Sequence, residues 1–164
     1  MMLNNRFKMA ISILSLPIAI AVTTAQAADE HNTVPGLTYA GAPLGLHGVD
    51  PVAFLAIGNR IDGTDKFTGV HQGVAYYFAS EDNLKTFKNA PDKYVPEYGG
   101  FCAFGASVGK KFDGDPRYAA IHNNKLYVFL NETVLKEFNK DPAGTIAKAN
   151  QNWSKIQHKA ATSL

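Results

Sequence analysis

The chain has 164 residues, with 16 Lys and Arg against 14 Asp and Glu, three methionines and one cysteine. A near-neutral balance with no basic run gives a phosphate backbone nothing to hold, which excludes nucleic acid as a partner. A single cysteine excludes an internal disulfide, so stability must come from packing, which a chain of this length can supply.

Residues 1–27 read as a secretory signal. Arg6 and Lys8 form a basic start, Met9 to Val22 is an apolar run, and Ala25-Gln26-Ala27 fits a small-x-small cleavage site, predicting a cut after Ala27. The alternative is a retained anchor, but the run falls short of the about 20 residues a bilayer span needs. No other stretch is apolar enough to cross a membrane, so none is expected in contact with one after cleavage. The predicted location is periplasmic or secreted. The leader carries two of the basic residues and all three methionines, leaving a mature chain with 14 charges of each sign and no thioether for soft copper(I).

Residues 28–43 read as an irregular lead-in. A domain over 44–156 follows. Sliding the chain by 51 positions lays residues 54–91 on 105–142 without a gap, and eleven of the 38 pairs are identical. Among them are Asp62/Asp113, Gly63/Gly114, His71/His122, Tyr76/Tyr127, Phe78/Phe129, Leu84/Leu135, Phe87/Phe138 and Pro91/Pro142. A repeat of this length predicts a duplicated supersecondary unit.

In the first copy, about residues 50–95, Phe67 to Val70 and Val74 to Ala79 are β-rich runs flanking His71-Gln72-Gly73, which predicts a hairpin. Ser80 then caps a helix whose Leu84 and Phe87 form the apolar face, and Pro91 ends it. In the second copy, about 101–145, Tyr118 to Ile121 and Lys125 to Leu130 flank His122-Asn123-Asn124, whose asparagines tolerate left-handed turn positions. Asn131, Leu135, Phe138 and Pro142 repeat the helix. Ile146, Ala149, Trp153 and Ile156 lie on one face of a final helix over 143–156, and 157–164 reads as a frayed tail. The expected class is therefore α+β: two tandem ββα units related by a pseudo-twofold axis, packed as one domain on a shared sheet, plus a C-terminal helix. The connection at Pro96 to Gly100 is too short for a flexible linker.

The segments "GVDPVAF" and "GVAYYFASEDNLKTFKNAPDKY" resemble the YHS domain, and "YGGFCAFG" resembles a motif of its exported, cysteine-poor branch. The likeness covers about residues 48–109, and the second copy is similar to the C-terminal extension of those exported proteins. The resemblance implies a metal-binding module whose ligands are cysteines, one shortly after Asp-Pro-Val and two flanking the helix start. This chain has Ala53, Ala79 and Asn83 there, so that ligand set does not carry over. Asp50, Pro51, Tyr77, Phe78 and Ser80 match as framework.

Cys102 is the leading candidate for chemistry. A thiol at a helix start is acidified by unpaired N–H groups, and the thiolate is what a metal or a redox step uses; the alternative is packing between Phe101 and Phe104. The repeat sets Cys102 opposite Pro51, so Cys102, His47 and Asp50 together would offer sulfur, nitrogen and oxygen to copper or zinc. The runner-up pair is His71 and His122, equivalent in the two turns. His31 and His158 lie in expected irregular ends and read as solvated. Two functions follow: an exported protein handling copper or zinc, or a non-catalytic interaction module that has lost the family's ligand cysteines. Catalysis is not expected, because no second cysteine can resolve an oxidised thiol. A metal ion or a protein in the exported compartment is the expected partner, and the oligomeric state is left open.

Overall fold

The computed structural model describes residues 27–164. The predicted leader lies outside the described residues, Ala27 excepted. A short helix α1 (Ala27–Glu30) leads to β1 (Thr33–Val34) and β2 (Leu44–Gly45). Then come α2 (Pro51–Ile57), β3 (Thr64–His71), β4 (Val74–Phe78) and α3 (Glu81–Asn89). The second unit is α4 (Ala103–Ser107), β5 (Asp115–His122), β6 (Lys125–Phe129) and α5 (Glu132–Phe138), followed by α6 (Pro142–Ile156). The class is α+β.

The two hairpins correspond residue by residue. β3 pairs antiparallel with β4 through His71↔Val74, Val70↔Ala75 and Thr68↔Tyr77, and then jumps to Thr64↔Phe78. β5 and β6 pair through His122↔Lys125, Ile121↔Leu126 and Ala119↔Val128, with the same jump to Asp115↔Phe129. Every one of these partners lies 51 residues from its counterpart, the irregularity included. Both turns hold two residues at positive φ, Gln72 and Gly73 in one and Asn123 and Asn124 in the other. That is the turn whose twist suits a hairpin, and it is why short polar residues and glycine stand there.

Each unit also opens with a helix that the strand and turn patterns did not reveal. α2 is capped by Asp50, has Pro51 at its first position and ends at the left-handed Gly58. α4 is capped by Cys102, and Gly109 follows it with positive φ. The observed unit is thus αββα. Ser80 caps α3 and Asn131 caps α5, each accepting from the backbone N–H three residues on, as expected of their side chains.

Three expectations need correction. There is no shared sheet: one sheet runs β1-β2-β4-β3 and the other holds only β5-β6. The lead-in is not wholly irregular, since β1 pairs antiparallel with β2, which joins β4 in parallel through Leu44↔Ala75. The tail is not frayed, because the carbonyls of Gln157 and Lys159 both accept from Lys111 Nζ.

Two sheets create two apolar centres. The first gathers Leu46, Val49, Val52, Phe54, Tyr76, Phe78 and Phe87, with Leu84 packed against it. The second gathers Tyr98, Cys102, Ala106, Tyr127, Phe129, Phe138 and Ala149, with Leu135, Ile146 and Trp153 against it. Strand β6 joins them. Its Leu126 and Val128 belong to the first centre and its Tyr127 and Phe129 to the second, as alternate residues on opposite faces of a strand must. The ring geometry repeats as well: Phe78 meets Phe87 at 4.9 Å between centroids, and Phe129 meets Phe138 at 4.6 Å.

Candidate functional site

Asp50 is fully buried, and its carboxylate is saturated. Oδ1 accepts from the backbone N–H groups of Val52 (2.8 Å) and Ala53 (2.9 Å), which is how it caps α2. Oδ2 accepts from the Ala79 N–H (2.8 Å) and from Asn83 Nδ2 (2.7 Å). Ala53, Ala79 and Asn83 are the three positions where the resemblance implies cysteines. In this chain all three donate to one carboxylate, joining the start of α2, the end of β4 and the first turn of α3. Copper or zinc would find no thiolate there and no free oxygen on Asp50, so these residues do not fit a metal.

Cys102 is 1% exposed and lies in the second centre. Its Sγ accepts from the Gly105 N–H at 3.4 Å, and its own N–H donates to the Phe112 carbonyl at 2.9 Å. It therefore takes in the second unit the capping place that Asp50 takes in the first, one residue off the 51-residue spacing. No histidine hydrogen-bonds the thiol among the described residues. The native thiol is expected to react with an aromatic disulfide reagent on the order of a hundredfold more slowly than in urea, because reagent must wait for local opening. Cys102→Ser keeps a capping oxygen and should cost only about 1 kcal/mol, read from denaturant midpoints.

His47 belongs elsewhere. Its Nε2 lies 3.2 Å from Asp113 Oδ1, which also accepts from Asn32 Nδ2 at 2.7 Å. The expected donor set of Cys102, His47 and Asp50 is thus not assembled. Among the described residues no group of three or more His, Cys, Asp or Glu side chains converges to hold a metal. The histidine pair is not assembled either. His71 Nε2 contacts Asp92 Oδ1 at 2.7 Å and meets Phe87 edge-on, whereas His122 lines a cavity beside α6.

Two functional-looking groups were not legible in advance. Lys111 is buried, and its Nζ donates to the carbonyls of Asp29, Gln157 (2.9 Å) and Lys159 (2.7 Å) over the faces of Phe101 and Trp153. One ammonium thereby ties the lead-in to the end of α6, where a cation is favoured. Burial lowers its pKa, with Asp29 and Glu30 opposing. In the sequence it is only the partner of Arg60 in the repeat.

His31 is the other. It was expected in solvent, but it is half-buried beside Trp153 and Gln157, and its Nδ1 is buried without a partner. The segment is pressed against Gly99, whose positive φ and missing Cβ leave room for the Glu30 carbonyl. Burial holds the imidazole below the usual histidine range; Glu30 opposes this, and His71 and Lys111 add to it. The fold therefore prefers the neutral ring. Its contribution is complete above the ordinary pKa of about 6.5 and is lost as pH falls through the lowered folded value. His31→Gln is expected to flatten the dependence of the urea midpoint on pH below 6.5, relative to wild type. His158, as expected, is largely exposed, and it pairs with Glu30 at 2.6 Å.

The largest apolar groove, about 590 Å³, is walled by residues of the lead-in together with Val70 and Gly73. Beside it Leu37 is 74% exposed and Tyr39 wholly exposed. No Asp, Glu, Lys or Arg occurs from His31 to Val49. Comparison with protein-family models, with curated proteins and with solved structures gives no match for this chain.

Proposed function

We propose that this chain is an exported, non-catalytic interaction module built on a duplicated YHS-like unit that has exchanged metal ligation for a structural carboxylate. The observation that carries this reading is Asp50, whose four donors come from the very positions that would otherwise hold thiols. The shared hairpin registers support the duplication. The uncharged lead-in surface, with Leu37 and Tyr39 projecting beside an apolar groove, suits a protein partner that presents apolar rather than charged side chains.

The test has two arms. Titration of the mature protein with Cu(I) or Zn(II) is expected to give no one-equivalent binding that Cys102→Ser abolishes, and chelators should leave its unfolding unchanged. Cross-linking in the native compartment is expected to yield a partner adduct that Leu37→Asp with Tyr39→Asp removes. Stoichiometric metal binding lost in Cys102→Ser would overturn the reading, as would adducts indifferent to the lead-in substitutions.

A further inference from the structure

The two units differ at one place where their backbones agree. In the first, His71 at the end of β3 meets the carboxylate of Asp92, which follows Pro91 at the start of a 3-10 turn. In the second, His122 at the end of β5 faces the residue that follows Pro142 at the start of α6, and that residue is Ala143. His122 has no hydrogen-bond partner among the described residues. His122 and Ala143 line the same cavity, of about 380 Å³. A carboxylate stands opposite the imidazole in one unit, and the corresponding space is open in the other.

The remaining walls suit a ligand that supplies this group. Lys125, paired in register with His122, stands where the first unit has Val74, so a cation has been added beside the histidine. Its Nζ lies 2.9 Å from Glu97 Oε1, which would repel a simple anion but welcome an ammonium. Tyr127 is 3% exposed, and its hydroxyl has no partner among the described residues although the ring lines the cavity. Burial, and Glu97 after it, push its pKa up to about 12, so it remains a neutral donor. Asn150 spends its Oδ1 on the Tyr98 hydroxyl at 2.9 Å, which leaves its amide N–H₂ as a donor. Ala143, Ile146 and Ala147 complete an apolar side.

We infer that this cavity binds a small ammonium–carboxylate zwitterion, an aliphatic amino acid, with its carboxylate between His122 and Lys125 and its ammonium on Glu97. The carboxylate takes the place that Asp92 holds in the first unit. Binding an ion of each sign keeps both Lys125 and Glu97 paired, and the aliphatic side chain covers Ala143 and Ile146.

The test is an NMR titration of the full mature protein with L-alanine as the probe. Saturable shifts are expected at His122, Lys125 and Asn150 but not at His71, whose carboxylate is already present. Ala143→Asp, at an exposed position, should leave the fold intact and weaken L-alanine at least tenfold by filling the site from within. Propionate, which lacks the ammonium, should also bind at least tenfold more weakly. An unperturbed His122 would overturn the assignment. So would an Ala143→Asp variant that binds like wild type, or propionate binding as tightly as L-alanine.

Discussion

Replacing Asp50 with alanine is expected to destabilise the fold by about 3–5 kcal/mol, the largest loss from any single polar change. The substitution removes one acceptor but strands four donors: the N–H groups of Val52, Ala53 and Ala79, and the Asn83 amide. None can turn to water without opening the joint between α2, β4 and α3, because the carboxylate they surround is fully buried. Asp50→Asn keeps one accepting oxygen but points an N–H₂ at two donors, so it should recover less than half of the loss. Ser80→Ala, which deletes a more accessible cap on α3, should cost only about 1 kcal/mol. Urea unfolding measures all three as a fall in midpoint at unchanged slope. A loss for Asp50→Ala no greater than that for Ser80→Ala would mean that the four contacts are not a structural node.

Phe87→Ala and Phe138→Ala should each cost about 3–5 kcal/mol, the usual loss for emptying a buried phenylalanine site. Both rings are buried, and each rests on an equivalent pair: Phe78 and Tyr76 for Phe87, and Phe129 and Tyr127 for Phe138. Because the rings belong to different centres and share no partner among these, the two losses should add to within about 0.5 kcal/mol. Their sum reaches the whole stability of an ordinary domain, so the double variant should be unfolded at 25 °C. The single variants, measured by denaturant unfolding, set the expectation, and circular dichroism reads the double. A double variant that remains folded, with a loss well short of the sum, would mean that the rings serve one core rather than two.

Much of this was legible in the residues. The hairpins, their turns, the helices after them and the caps Ser80 and Asn131 all stand where the sequence predicts, because each depends on neighbours a few positions away. Strand periodicity, left-handed tolerance in Gln72-Gly73 and Asn123-Asn124, and capping oxygens are local signals. The helices α2 and α4 were obscured because their apolar residues do not form a clear stripe over so few turns. The site was read less well for a different reason. Cys102 at a helix start was correctly identified, but the same position makes it a buried cap rather than an exposed ligand. Asp50 looked like a free oxygen donor because the groups that saturate it lie as far away as Asn83, and His31 looked solvated because Trp153 and Gln157 are remote in the chain.

By itself, then, the sequence determined the repeated unit, its periodicity and the residue types at each turn and cap, since these follow from backbone geometry over a few residues. The tertiary structure alone decided that the units build two sheets and two apolar centres, that Asp50 is spent on donors from three elements, and that His122 faces an open cavity while His71 is paired. Those outcomes depend on which distant groups arrive at the same place, and a hydrogen bond or an ion pair forms only between groups that meet in space, whatever their separation along the chain.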